Sequence, residues 1–298
     1  MARKVWIEVA LNGSWDRGKQ PNVPVTVEEI IADGVACVEA GAAILHLHAM
    51  DPLSGQQNDD PDIYAAIMKG IRAKTDAIVY PTMPIHLYPG WTDRYQSADE
   101  LGRRGLLEWA VVDPGSLNIN AYDFRTKQLQ GKGVVYANTD AEIRRGMQLA
   151  AQYQFHPEYA CFEPGFVRLG AAMHRAHPDA PMPIYSFRFA ENMTMGLPPE
   201  EWALDAYLRL LEMEAPGAPW MAASTGGNIT KLIPAIVARG GGVRTGLEDA
   251  PMGSRVTNAD LVNECVQAIR AAGGEPATGN EVRAGLKGRG ALDGRVRK

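Results

Sequence analysis

Residues 42–57 read AAILHLHAMDPLSGQQ, and this stretch decides the fold. An apolar run ends in two histidines one residue apart, and Asp-Pro and a Ser-Gly turn follow at once. Short apolar runs that close on polar residues and a turn are typical of buried strands. Side chains alternate along a strand, so His46 and His48 point to the same face. We therefore predict a strand over Ala43–His48 with two imidazoles at its carboxyl end.

The same alternation of a short strand with a helical pattern recurs along the whole chain. The predicted strands are Val5–Leu11, Ala43–His48, Ala77–Pro81, Trp109–Val112, Tyr159–Phe162, Ile184–Phe187, Trp220–Ala223 and Gly242–Gly246. The helical segments are Thr26–Ala40, Asp62–Lys74, Ala98–Leu107, Asp140–Tyr153, Phe166–His177, Pro199–Glu214, Asn228–Arg239 and Asn258–Ala272. Eight strand-then-helix units predict the α/β class and a single (β/α)8 TIM barrel, with a doubly wound open sheet as the alternative.

Local signals refine the ends of this architecture. Thr26 with Glu29, and Ser97 with Glu100, have the spacing of helix capping boxes. No linker divides the chain, so residues 1–298 are expected to form one catalytic domain. The Gly-rich, basic end of the chain predicts a C-terminal arm from about residue 275.

Composition excludes several classes of partner. The 298 residues are 46% hydrophobic and 22% charged, as in ordinary globular proteins. A formal net charge of -5 argues against nucleic acid or an anionic membrane as the main partner. Three widely spaced cysteines indicate reduced thiols, and no apolar run is long enough to cross a membrane. We therefore expect a cytoplasmic protein that acts on a small molecule.

A barrel collects the residues at the carboxyl ends of its strands at one mouth, where enzymes of this fold keep their chemistry. The α carbons of His46 and His48 are expected ~6.5 Å apart, close enough for both imidazoles to bind one metal ion. The alternative is that one of them is a packing histidine. Glu248 and Asp249, just past the last strand, are candidates for a third ligand. Two imidazoles and a carboxylate suit zinc, with iron and manganese as competitors.

Four segments together resemble one family. HLHAMDPLSGQQNDD, DPGSLNIN, PEYACFEPG and GGGVRTGLEDAPMG are similar to the β-keto acid cleavage enzymes, the family of the 3-keto-5-aminohexanoate cleavage enzyme. The resemblance implies a zinc-dependent TIM barrel that condenses a β-keto acid with acetyl-CoA, giving acetoacetate and a new acyl-CoA. It also implies zinc ligands at His46, His48 and Glu248, catalytic roles for Arg244 and Asp249, and a homotetramer.

The resemblance extends to the substrate pocket, with departures. Thr82 would keep a contact to the substrate carboxylate, although the loop PTMPIH differs from the usual Gly-containing turn. Gly-Gly-Gly replaces the common Gly-Gly-His before the last strand, and Phe166 stands where a histidine is common. The remaining substrate-binding candidates are Ser14 in the first loop, Ser116 and Asn118 after the fourth strand, and Glu163 after the fifth.

Two further features of the mouth bear on substrate and cosubstrate. Trp15, Trp91 and Tyr95 are candidates for an aromatic wall, which would suit an apolar group or a quaternary ammonium such as that of dehydrocarnitine. The Gly-rich turn STGGNIT, residues 224–230, is a candidate for holding part of coenzyme A on backbone N–H groups, with an ordinary loop as the alternative.

Two other function classes stay open on the sequence. A hydrolase of the amidohydrolase type also uses His-x-His on a strand, but it normally places the pair on the first strand and adds a metal-bound Lys or His. A barrel that binds a metal or metabolite without turnover is the other alternative.

Overall fold

The computed structural model describes residues 2–85, 87–88 and 90–287. Its strands are β1 (Arg3–Val5), β2 (Ile7–Ala10), β3 (Ile44–Leu47), β4 (Ile78–Pro81), β5 (Trp109–Val111), β6 (Leu117–Asp123), β7 (Gln128–Tyr136), β8 (His156–Cys161), β9 (Ile184–Ala190), β10 (Trp220–Thr225), β11 (Gly242–Thr245) and β12 (Gly274–Pro276). Its helices are α1 (Val27–Ala40), α2 (Pro61–Arg72), α3 (Gln96–Arg103), α4 (Asp140–Tyr153), α5 (Pro164–Ala176), α6 (Glu201–Glu214), α7 (Ile233–Arg239), α8 (Asn258–Ala271) and α9 (Gly279–Lys287), and a 3-10 turn over Ile229–Leu232 precedes α7.

Eight parallel strands form a nearly closed barrel. Their spatial order is β4-β3-β2-β11-β10-β9-β8-β5. β4 and β5, at the two ends of this order, lie side by side and complete the ring, although no ladder joins them in the described residues. The predicted TIM barrel is confirmed, and each of the eight predicted strands overlaps one of these strands.

The main core lies between the barrel and its ring of helices. β2, β3, β4 and β9 are buried along their whole length, as expected for parallel strands covered on both faces. Thr26 and Glu29 form the predicted capping box at α1. The predicted box at Ser97 is wrong: α3 begins at Gln96, so Ser97 lies inside the first turn and is buried. None of the described helices is long and apolar enough to cross a membrane.

Two additions to the barrel were not anticipated from the sequence. β6 and β7 form an antiparallel hairpin above the mouth. At the other end, β12 pairs with β1, and α9 packs Val282 and Leu286 against the bottom of the barrel interior. The sequence predicts an arm from about residue 275, but the chain as far as Lys287 forms a strand and a helix. Residues 288–298 lie outside the described part.

Candidate metal centre and active site

Three side chains converge at the barrel mouth in the arrangement of a metal site. His46 and His48 come from the end of β3, and Glu248 follows β11. The Nε2 atoms of both histidines lie 3.5 Å from Oε2 of Glu248, and the three ligand atoms are within 4.8 Å of one another. Ligands held tetrahedrally at ~2.1 Å from one ion are about 3.4 Å apart. The spacing of the carboxylate from each imidazole therefore matches that of three ligands around a single ion.

Strand order and one glycine bring Glu248 to the histidines. β11 pairs with β2, and β2 pairs with β3, so only one strand separates the two parts of the cluster. Gly246 has φ +132°, and a Cβ there would lie 2.2 Å from the Ala10 carbonyl oxygen. This close approach lets the Glu248 N–H donate to the same carbonyl at 3.2 Å. A side chain at Gly246 would push the loop away from β2 and take Glu248 with it.

A chain of hydrogen bonds orients His48 from behind. Its Nδ1 lies 2.8 Å from Oε1 of Gln57, whose amide nitrogen donates to Asp59, and Asp59 also accepts from the Tyr64 hydroxyl. The Asn12 side chain bonds both the N–H and the carbonyl of His48. Partners of this kind fix the ring orientation of metal-binding histidines. They leave Nε2 of His48 as the ligand atom.

The protonation states of His46 and Glu248 suit a cation, whereas His48 would have to lose its proton to bind one. Burial holds the pKa of His46 well below its usual value, so the ring is neutral. Burial would raise the pKa of Glu248, but the Arg244 guanidinium and the two histidines hold it well below its usual value. Burial also lowers the pKa of His48, but Glu248 outweighs that effect, and the net pKa is raised. His48 Nε2 and Glu248 Oε2 are buried without a hydrogen-bond partner. A divalent cation would satisfy both atoms.

Arg244 joins the metal cluster to the neighbouring carboxylate, Asp249. Its Nε donates to Asp249 at 2.7 Å, its Nη2 to Glu248 at 2.9 Å and its Nη1 to Glu8 at 2.8 Å. A second guanidinium, that of Arg188, lies 3.9 Å from Asp249. Asp249 thus lies between the two guanidinium groups, next to the candidate metal ligands and on the wall of the cavity.

Sequence reasoning missed Glu158, a buried carboxylate on the other side of the mouth. Glu158 accepts from Arg188 at 2.8 Å, and burial raises the pKa of Glu158 to about 8 despite that partner. Asp113 accepts from the Tyr136 hydroxyl and from the Ala160 N–H. The available signal was a glutamate inside the apolar strand HPEYAC, where alternation directs it into the barrel.

The cavity at the mouth has a volume of about 230 Å³ and contains only part of the expected substrate-binding set. Ser14 and Thr82 line it, as do Arg244, Asp249 and the three candidate ligands. Ser116, Asn118 and Glu163 do not line it.

The three residues outside the cavity have other partners. Ser116 bonds the backbone of Asn138, and Asn118 is exposed on β6 of the hairpin. Glu163 accepts from the Gly196 N–H. The extra hairpin explains the first two misplacements, because it carries the residues after β5 away from the strand ends.

The expected aromatic wall is not assembled. Trp15 lines the cavity and donates to the Glu248 carbonyl at 3.0 Å. Tyr95 is buried beside α4, and Trp91 packs on Tyr88 away from the cavity. Phe166, in the place of the expected histidine, packs its ring over Gly115.

The Gly-rich turn after β10 has already used two of its backbone donors. The Gly226 N–H donates to the Asp249 carbonyl at 2.8 Å, and the Thr230 N–H to the Asn228 side chain at 2.7 Å. The turn therefore helps to hold the backbone of Asp249 in place. These two donors are not free to hold a phosphate of coenzyme A.

A model of one family matches residues 4–287, and its description is beta-keto acid cleavage enzyme. The chain belongs to the β-keto acid cleavage enzyme family. The resemblance seen in the sequence is thereby confirmed, and it covers nearly all of the chain.

Characterised relatives differ in their substrates. The chain is 26% identical to a 3-dehydrocarnitine:acetyl-CoA trimethylamine transferase of Rhizobium meliloti (strain 1021), over 96% of this chain and 97% of that protein. It is 27% identical to a 3-oxoadipate:acetyl-CoA acetyltransferase of Cupriavidus necator, over 95% of both. It is 26% identical to a 3-keto-5-aminohexanoate cleavage enzyme of Fusobacterium nucleatum, over 95% of this chain and 97% of that protein.

A solved structure agrees in fold. The apo structure of ObcA superposes with a TM-score of 0.71 at 16% identity, covering 90% of this chain. The chain spans 66% of the length of that protein. This likeness concerns the barrel fold alone.

Proposed function

We propose that this protein is a zinc-dependent transferase that condenses a β-keto acid with acetyl-CoA and releases acetoacetate and a new acyl-CoA. The observation that carries the proposal is the cluster of His46, His48 and Glu248, tied through Arg244 to Asp249 on the cavity wall. Membership of the family and the acetyl-CoA transferase names of the relatives support the same reaction class.

Asp249 is proposed as the group that moves the proton. Its carboxylate lines the cavity and is held by Arg244 at 2.7 Å, with Arg188 beyond it at 3.9 Å. A carboxylate held in this place can remove a proton from the carbon between the keto and carboxylate groups of the substrate. Zinc held by the three ligands would supply a Lewis acid for the keto oxygen.

The reaction requires one proton carrier, and Asp249 is proposed for that role in both directions. The deprotonated carbon attacks the acetyl carbonyl, and the thiolate of coenzyme A leaves. The thiolate then attacks the original keto carbon, and the bond between that carbon and the carboxymethyl carbon breaks. The acyl group stays on sulfur, and Asp249 returns its proton to the carbon that becomes acetoacetate.

Thr82 and Ser14 are proposed to hold the substrate. Both have hydroxyl groups on the wall of the cavity that contains the metal cluster and Asp249. Thr82 follows β4, next to β3, which suits a contact to the substrate carboxylate. An amidohydrolase would require a metal-bound lysine or a further histidine, and the described lining of the cavity includes neither.

Acetoacetate formation tests the reaction directly. Purified protein supplied with zinc would be mixed with acetyl-CoA and a panel of β-keto acids, and acetoacetate and acyl-CoA would be measured by mass spectrometry. We expect equal amounts of both products from at least one keto acid. A folded, metal-loaded protein that produces neither from any of them would favour the non-catalytic binding barrel.

A further inference from the structure

Two parts of the active-site cavity wall differ in chemistry. Its charged side chains come from barrel strands or lie directly after them, and they include Arg244 and Asp249 beside the candidate metal site. The apolar part of the wall is formed mainly by residues of the surrounding loops and the hairpin. We call this part the apolar rim and define it as Met83, Ile85, Ile119, Phe162, Met193 and Met195.

The apolar rim is a built surface. The hairpin that carries Ile119 is joined to the loop after β9 by two backbone hydrogen bonds, from Tyr122 to Asn192 at 2.9 Å and from Thr194 to Asn120 at 3.0 Å. These bonds flank Met193 and hold it beside the hairpin, where Ala121 and Met193 form an isolated β-bridge.

Most charges on the strand side are paired with one another. Glu158 pairs with Arg188, and Arg244 pairs with Asp249 and Glu248, although Nε and Nη1 of Arg188 have no hydrogen-bond partner in the described residues. None of the six rim residues is charged. The other polar residues that the loops and the hairpin contribute to the wall are Ser14, Trp15, Thr82 and Tyr136, and Thr225 ends β10. A charged substituent at the rim would lose water and find no counter-charge there, which is unfavourable.

We propose that the rim selects a β-keto acid whose distal substituent, the part that leaves as the acyl group of acyl-CoA, is an uncharged apolar chain. This inference rests on the proposed function, because it takes the keto and carboxylate groups to lie at the metal end. It separates this chain from relatives whose names carry a cationic or a dianionic substrate. Met193 and Ile119 are then specificity-determining residues.

The first test compares three keto acids of the same chain length. 3-Oxohexanoate has an apolar distal group, 5-amino-3-oxohexanoate a cationic one and 3-oxoadipate an anionic one. We expect kcat/KM for 3-oxohexanoate to exceed both others by about a hundredfold or more, because an unpaired buried charge discriminates strongly. Equal or higher kcat/KM for either charged substrate would overturn the inference while leaving the proposed function intact. No acetoacetate from any of the three would instead count against the proposed function.

The second test moves the preference with one side chain. Met193→Glu places a carboxylate on the rim, and we expect the ratio of kcat/KM for the amino substrate to that for 3-oxohexanoate to rise about tenfold or more. Leu129→Glu is the matched control, because Leu129 lies on the hairpin that holds Met193 and is exposed outside the cavity. The control should change that ratio less than twofold.

A readout of folding keeps the second test decisive. Thermal melting and zinc content would be measured for both variants. A folded, zinc-loaded Met193→Glu protein with an unchanged substrate ratio would contradict the role of the rim. If Met193→Glu does not fold, Met193→Gln replaces it, and we expect that change to lower kcat/KM for 3-oxohexanoate relative to both charged substrates.

Discussion

The candidate metal site and the apolar rim both line one cavity, but they are built in opposite ways. His46, Arg244 and Glu158 project from barrel strands whose register is fixed by parallel ladders, and Glu248 and Asp249 are bound to that frame. The rim comes from loops and from a hairpin that is absent from the basic barrel pattern. Under the proposed function, the strands would hold the chemistry and the loops would choose the substrate.

Mutual charge pairing joins the functional side chains of the strand side. Arg244 contacts three carboxylates, those of Glu8, Glu248 and Asp249. Removing any member leaves a buried charge without its partner. Changes on this side should therefore abolish the reaction. Changes at the rim should alter only which substrate is used.

The largest effect is expected for Asp249→Asn. The amide cannot accept the substrate proton, so kcat should fall by about a thousandfold or more, while zinc binding persists through the unchanged ligands. Steady-state assays of acetoacetate formation and zinc analysis would check both. Asp205→Asn is the control, because Asp205 lies on α6 and its exposed carboxylate pairs with Arg239. Full activity in Asp249→Asn would remove Asp249 from the proposed chemistry.

A smaller effect, a loss of metal affinity, is expected for a change at Gln57, which contacts the candidate ligand His48. Gln57→Leu removes the partner of His48 Nδ1 and leaves Asp59 without its amide donor. Loss of such a contact typically weakens metal affinity by about 10- to 100-fold. Competition with a zinc chelator would measure the change. Gln56→Leu is the neighbouring control, since no side-chain hydrogen bond of Gln56 is seen in the described residues. Equal affinities in the two variants would show that the His48 contact is dispensable.

At the rim, Ile119→Ala should separate substrate choice from chemistry. Removing three carbons of this half-buried side chain from the cavity wall should lower kcat/KM for an apolar substrate by roughly tenfold, because about that much apolar contact is lost. Zinc content should not change, since none of the three candidate ligands lies on β6. Kinetics and elemental analysis on the same preparation would check this. A loss of zinc in this variant would break the division between the two sides.

The smallest effect concerns pH and stability through Glu158. Its folded-state pKa of about 8 lies above the usual value of 4.5, so its contribution to stability is full below pH 4.5 and is lost as pH rises through 8. Glu158→Gln keeps the shape of the side chain without this titration. The variant's melting temperature should therefore decline less than that of the wild type between pH 5 and 8. Parallel curves over that range would contradict the assignment.

The contrast between the two sides also explains what could be predicted from the sequence. Eight strand-then-helix units and strand-end polarity sufficed to predict the barrel and to place His46, His48 and Glu248 at one mouth, because parallel ladders bring strand ends together whatever the loops do. Ser116 and Asn118 lie outside the cavity lining for the opposite reason. Their segment continues into the β6–β7 hairpin, whose exposed strands carry no apolar alternation strong enough to be recognised.

Glu158 was missed because a buried carboxylate depends on a partner, Arg188, that lies on another strand. Thirty positions separate the two along the chain, and nothing local in PEYACF indicates the pairing. Similarly, the end of the chain appeared basic and Gly-rich, but Val282 and Leu286 at helical spacing pack under the barrel. Pairing across strands and docking of a terminal helix are tertiary facts, and composition does not encode them.

Metal content of the purified protein tests the central claim most directly. The wild-type protein and Glu248→Ala would be loaded with zinc, dialysed and analysed by plasma mass spectrometry, with circular dichroism to verify folding. We expect one zinc ion per wild-type chain and almost none in the variant, with acetoacetate formation lost in parallel. A wild-type protein that turns over keto acids without a bound transition metal, or a folded variant that keeps its full zinc, would contradict it.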